Sequence, residues 1–204
     1  MNVFYNKEHV GDVLLVQLAT ESIVKTVVER AGDIAILKEA QTGEIKAFNL
    51  FNASHYVQTD AKGLVEVTPE LVEQLEAAIE KNGADINLDV DFSPKFVVGY
   101  VETKDKHPNA DKLSICTVNV GEETLQIVCG APNVEAGQKV VVAKIGAVMP
   151  SGMLIKEGNL RGVESFGMLC SARELAIPNA PSEKGILVLP EDAIVGSAFE
   201  APTK

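Results

Sequence analysis

Every apolar run in this sequence is the length of a β-strand. The longest, residues 13–18 and 140–145, fall far short of the roughly 18 residues a membrane-spanning helix needs. In the first half, residues 11–18, 24–30, 33–39 and 44–51 are rich in Val, Ile and Leu. Turn formers such as Ala31-Gly32 and Thr42-Gly43 separate them. Short apolar segments spaced this way suit an antiparallel meander. One stretch has helical period instead. Thr68 can cap it, Pro69 suits its first position and Glu70 its first turn, and Leu71, Val72, Leu75 and Ile79 form a stripe that stops before Gly83. The first half therefore predicts a small α+β domain, an antiparallel sheet with one helix packed on it.

Charge divides the chain. Its formal net charge is −11. Residues 1–90 carry 7 basic and 15 acidic side chains, whereas residues 95–173 carry 9 and 8. The acidity is concentrated in the first module, which argues for two modules with different work. "NLDVDFSPKF" (87–96) is polar, acidic and interrupted by Pro94, so it reads as the linker. The expected domains are 1–91 and 92–204. Asp89 and Asp91 read as solvated linker residues rather than metal ligands, since no further ligands lie near them.

The second half is nearly all strand. Residues 96–103, 113–121, 124–130 and 138–146 have strand length and composition. In 113–121 the apolar phase slips by one residue, which predicts a β-bulge in that strand. Residues 140–143 are apolar without alternation, as in a strand buried on both faces. Several bulged strands with glycine kinks predict a small all-β barrel, an OB-fold in the leading case.

Motifs for chemistry are missing. There is no G-x-x-x-x-G-K-[ST] and no G-x-G-x-x-G after a strand, so no cofactor is expected. "GVESFG" (162–167) places its first glycine one residue too far from Ser165 for a nucleophile elbow. Cys116, Cys129 and Cys170 form no C-x-x-C pair and read as buried, reduced thiols. His107 reads as a hydrogen-bonded loop histidine, and His107-Pro108-Asn109 as turn chemistry. The N-terminal "MNVFYNKEHVGD" lacks the basic start and apolar run of a signal peptide. The expectation is a soluble cytoplasmic protein that is not an enzyme and has no membrane partner.

A longer pattern then appears in order: "HPNADKL" (107–113), "IVCGAPNV" (127–134), "GAVMPSG" (146–152), "IKEGNLRGVESFGMLCSAREL" (155–175) and "GILVLPEDAIVGSAF" (185–199). It resembles the tRNA-binding OB domain at the N-terminus of the bacterial phenylalanyl-tRNA synthetase β-subunit. Methionyl-tRNA synthetase extensions and endothelial-monocyte-activating-polypeptide-like proteins share that domain. The resemblance covers about half of the chain, and the layout looks like a stand-alone bacterial tRNA-binding protein with a small extra N-terminal domain. It does not extend into the first half or supply domains for aminoacylation.

The resemblance implies tRNA as the partner and, by position, Asn133, Lys156, Arg161, Ser165, Met168, Ser171 and Arg173 as RNA-binding residues. Lys and Arg neutralise phosphates, Ser and Asn hydrogen-bond phosphate or 2′-OH, and Met168 offers a soft apolar face. Residues 95–173 hold only Phe96, Tyr100 and Phe166 as aromatics. That is too few to stack single-stranded bases, so folded RNA is expected to be read by backbone and shape. A competing reading is a protein-interaction or chaperone-like factor using the same barrel. The sequence leaves open a homodimer and a protein partner for the acidic first domain.

Overall fold

The computed structural model describes residues 1–21 and 24–201. The chain forms two compact units, Met1–Phe92 and Ser93–Lys204.

The first unit is a six-stranded sheet with one α-helix. Its strands are β1 (Asn2–Tyr5), β2 (Val13–Gln17), β3 (Thr26–Ala31), β4 (Ile34–Glu39), β5 (Ile45–Phe51) and β6 (Gly63–Val65). Every pairing is antiparallel, in the order β3-β4-β5-β2-β1-β6. This corrects the simple meander expected from spacing, because β2 lies between β1 and β5 rather than beside β3. The reason is burial. β2 alternates cleanly, burying Leu14 and Val16, and belongs inside the sheet. β3 has two adjacent valines, Val27 and Val28, that both stay exposed, and it takes the edge. Residues 2–5 and 63–65 also form strands that spacing did not reveal.

Helix α1 (Pro69–Lys81) starts where its signals place it. The Leu71 N–H donates to Thr68 Oγ1 at 3.2 Å, and Pro69 occupies the first turn. Leu71, Leu75, Ala78 and Ile79 pack against Val3, Leu14, Val16, Phe48 and Leu50. Val72 lies at the half-buried margin of the stripe.

The second unit is a nearly closed barrel that fits an OB-fold. Strands β7 (Phe96–Lys106), β8 (Ser114–Asn119), β9 (Thr124–Cys129), β10 (Lys139–Ala143) and β13 (Met168–Leu169) lie in the order β13-β10-β7-β8-β9. Strands β11 (Gly158–Leu160) and β12 (Val163–Ser165) form a separate hairpin, and β14 (Val188–Leu189) also pairs with β10.

The bulge is in a different strand from the one the sequence suggested. β8 pairs with β9 without a break from Ser114 to Asn119. The register shifts in β7 instead, between Val101 and Thr103, so Glu102 is the extra residue. The apparent slip in 113–121 arises because Leu113 and Ile115 sit half-buried on the other face from Cys116 and Val118.

Strand β10 is buried on both faces. Val140 and Val142 join the barrel interior with Val97, Val101, Cys116, Val118 and Ile127. Val141 and Ala143 join an outer core with Ala147, Met149, Ile155, Cys170 and Leu175. Ile127 is fully buried in the interior. Ile127→Ala is expected to lower stability by about 2–5 kcal/mol in urea denaturation, while Val28→Ala on the exposed edge changes it by about 0.5 kcal/mol or less.

Candidate nucleic-acid interface

The barrel has a seam. On its outer edge β10 pairs with β14 at Lys139 and Val140, and with β13 at Val142 and Ala143. Between them the Val141 carbonyl accepts the Cys170 N–H at 2.9 Å, and the Cys170 carbonyl accepts the Leu187 N–H at 2.8 Å. One edge is thus shared by two short strands from distant parts of the chain. Beside it opens a cleft of about 650 Å³, lined by 128–131 and 133, by 168–169 and 171–174, and by 181 and 183–187. Four of the seven residues carried over from the family meet here: Asn133, Met168, Ser171 and Arg173.

Polar side chains stand in for ladder bonds along the seam. Ser165 is 4% exposed. Its Oγ accepts the Val128 N–H at 3.0 Å and donates to the Gly167 carbonyl at 3.3 Å. This corrects the expectation that Ser165 is a donor to RNA: its hydroxyl is used in joining β12 to β9. The Gln126 side chain donates to the Glu164 carbonyl at 2.8 Å, and the Phe166 N–H to the Gln126 carbonyl at 2.9 Å, at the same junction.

Asn133 acts in a similar way. Its Nδ2 donates to the Ile186 carbonyl at 3.0 Å, and its Oδ1 accepts the Ile186 N–H at 2.8 Å. The amide imitates a strand's donor and acceptor. It fits only because residue 185 is glycine, since a Cβ there would lie 2.8 Å from Asn133 Oδ1.

Ser171 and Glu174 form a capping box around one helical turn. Glu174 Oε2 accepts the Ser171 N–H at 2.8 Å and the Ser171 hydroxyl at 2.6 Å, while the Glu174 N–H donates back to Ser171 Oγ at 3.2 Å. Arg173, on that turn, donates from Nη2 to the Ser182 carbonyl at 2.9 Å and the Pro181 carbonyl at 3.4 Å. It ties the two walls of the cleft together. Met168 is half-buried and packs toward the outer core.

Lys156 and Arg161 lie outside the cleft lining, and both are exposed. Arg161 and Gly162 are the central residues of the β11–β12 hairpin, with φ of +51° and +92°. Positive φ at both is the geometry of a two-residue type I′ turn, which explains glycine at the second. The tip is held from outside. Asn109 Nδ2 donates to the Arg161 carbonyl at 3.0 Å. The Asn109 N–H donates to His107 Nδ1 at 3.0 Å, which places the ring proton on Nε2, 2.9 Å from the Leu160 carbonyl. His107 is 1% exposed, a buried histidine with both nitrogens partnered.

A family described as "Putative tRNA binding domain" matches residues 96–198. The chain belongs to this family. A "Domain of unknown function (DUF4479)" matches residues 22–91. "Putative tRNA-binding protein YtpR" of Bacillus subtilis is 58% identical over 98% of this chain and 100% of its own length. The phenylalanine–tRNA ligase β-subunit of Oceanobacillus iheyensis is 52% identical over 68% of this chain, a match spanning 17% of that subunit. A solved "MetRS related protein" from Pyrococcus horikoshii is 24% identical, covering 52% of this chain and 88% of that one, with a TM-score of 0.39.

Within this tRNA-binding-domain family member, the cleft is electrically balanced. Its lining carries two cations, Arg173 and Lys184, and two carboxylates, Glu174 and Glu183, and includes no aromatic ring. Its apolar surface includes Val128, Met168, Leu169, Ile186 and Leu187. Lys184 is not among the residues carried over from the family, and the holding roles of His107 and Asn109 emerge only in the fold. Lys184 directly precedes "GILVLP", so its neighbourhood was readable from the motif order. The clamp links residues 53 and 52 positions apart and has no local signal.

The three thiols are buried and unpaired in disulfides. Burial pushes Cys116 up to about 11 and Cys170 up to about 12, and it raises Cys129 as well. None is poised as a thiolate. No helix among the described residues is long and apolar enough to cross a membrane.

Ser165→Ala is expected to leave the Val128 N–H buried without a partner and to cost about 1–3 kcal/mol in thermal or urea unfolding. The native protein's thiols are expected to stay unmodified by iodoacetamide at pH 8 and to alkylate fully in denaturant, as mass spectrometry would show.

Proposed function

We propose that this chain binds tRNA without acting on it, reading folded RNA through backbone and shape contacts on the barrel surface formed by the cleft and the β11–β12 hairpin. The observation that carries this reading is the cleft itself. Four of the motif residues converge on it, and their side chains are fixed before any ligand arrives, so little ordering is left for binding. Membership of the tRNA-binding-domain family and the name of the Bacillus subtilis relative supply the partner.

The chemistry divides between two places. The balanced, non-aromatic cleft suits a sugar edge or one base. Phosphate contact falls to exposed cations around it: Lys156, Arg161, Lys184 and the guanidinium edge of Arg173 not spent on carbonyls. The absence of an activated nucleophile at Ser165 or Cys170 supports a binding role. Unpaired, buried cysteines suit the reducing cytoplasm.

Titration of the purified full chain with labelled bulk tRNA at several salt concentrations tests the proposal. Three or four phosphate contacts give a slope of log K against log salt of roughly −2 to −3. A structured tRNA should bind more tightly than unstructured single-stranded RNA of equal length. Lys184→Ala should weaken binding about threefold with an unchanged melting temperature. No binding at low salt by folded protein would overturn the reading and favour the protein-interaction factor, which the net charge of −11 accommodates.

A further inference from the structure

We infer that His107 and Asn109 are positioning residues that hold the tip of the β11–β12 hairpin where it presents Arg161. The inference rests on the tRNA-binding reading, which already counts Arg161 among the phosphate contacts, and adds to it the pair that fixes the tip, supplied from a different part of the chain.

Two observations carry it. The first concerns which cation is available. Arg173 uses Nη2 on the Pro181 and Ser182 carbonyls, so its fork is no longer open to a bidentate contact, although Nε and Nη1 remain. Lys104 pairs with Glu135, Lys106 with Asp111 and Lys144 with Glu123. Arg161 is exposed, and no described carboxylate forms an ion pair with its guanidinium. It is the arginine of this unit left to make a bidentate phosphate contact.

The second concerns how the tip is held. β11 and β12 are three residues each and form a two-stranded sheet of their own. Such a hairpin is marginal in water unless packed or tied elsewhere. At its tip it is tied through two consecutive carbonyls, Leu160 by His107 Nε2–H and Arg161 by Asn109 Nδ2–H. The second bond fixes the peptide of the residue that holds positive φ and carries the exposed guanidinium. At the hairpin's base, Ser165 joins β12 to Val128, which lines the cleft, so the hairpin is anchored beside it.

The test is a double-mutant cycle on the full chain, read by fluorescence anisotropy with labelled bulk tRNA at fixed low salt. Arg161→Ala should weaken binding about five- to tenfold and Arg161→Lys less. Asn109→Ala should weaken it about threefold with the melting temperature held within a few degrees. In the Asn109→Ala/Arg161→Ala protein the loss should match Arg161→Ala alone, because the positioning residue has nothing left to aim. Without RNA, the Gly162 amide should become mobile in heteronuclear NOE measurements on Asn109→Ala. Additive losses, or an unchanged Gly162 amide, would overturn the positioning role. An unchanged Kd for Arg161→Ala would overturn the contact, and Lys184→Ala then separates the two failures. If Lys184→Ala still weakens binding, the cleft reading stands and only the hairpin is excluded. If neither variant matters, both proposals fall.

Discussion

The second unit depends on burying β10 from both sides. Val140, Val141, Val142 and Ala143 are all fully inaccessible, two facing each core. Each buried valine is worth about 1.5–3 kcal/mol relative to exposure. That burial fixes what happens on the strand's outer edge. Segments 147–155, 168–177 and 187–199 must cover the outer face, so the chain crosses it more than once, and only short pieces, β13 and β14, can run along the edge. The split edge follows from the covered face, and the cleft opens beside it.

A split edge leaves backbone donors and acceptors without a continuous ladder. Buried without partners, each would cost about 1–3 kcal/mol. Around it the partners are side chains of the right length: the Ser165 hydroxyl for Val128 on the free edge of β9, and the Asn133 amide for both polar groups of Ile186 beside β14. Asn133 and Ser171 flank the cleft that these bonds hold open. One set of residues therefore builds the seam and shapes the surface. Their presence in a binding motif is explained by architecture before any ligand is considered.

This dual use shows where the sequence was readable and where it was not. The two-sided burial of residues 140–143 and the helix with its Thr68 cap were legible because each is written within a few neighbouring residues. The position of β2 was not, since spacing reports that strands exist but not which of them pair. The bulge was traced to the wrong strand because an apolar slip can arise from half-buried positions on the opposite face as well as from an inserted residue. Among the site residues implied by the resemblance, Arg161 and Lys156 are exposed. Sequence could not distinguish a serine that faces ligand from one that satisfies a buried N–H 37 positions away. Residue type is the same in both cases, and only the closed barrel decides.

Electrostatics sets the remaining terms. The first unit is strongly acidic, the stretch 95–173 is close to neutral, and the cleft lining holds two cations and two carboxylates. A net charge of −11 gives no overall pull on RNA at long range, and beyond about 10 Å ordinary salt screens what field there is. On the tRNA-binding proposal, affinity then comes from short-range fit to a surface already in place. Of the two arginines the proposal uses, Arg173 is held at its guanidinium by the carbonyls it binds, whereas at Arg161 the two donors hold the hairpin backbone and leave the side chain exposed. On that reading local rigidity takes the part that net charge takes in more basic RNA binders, and it narrows the RNA shapes that can reach the cleft and the hairpin at once.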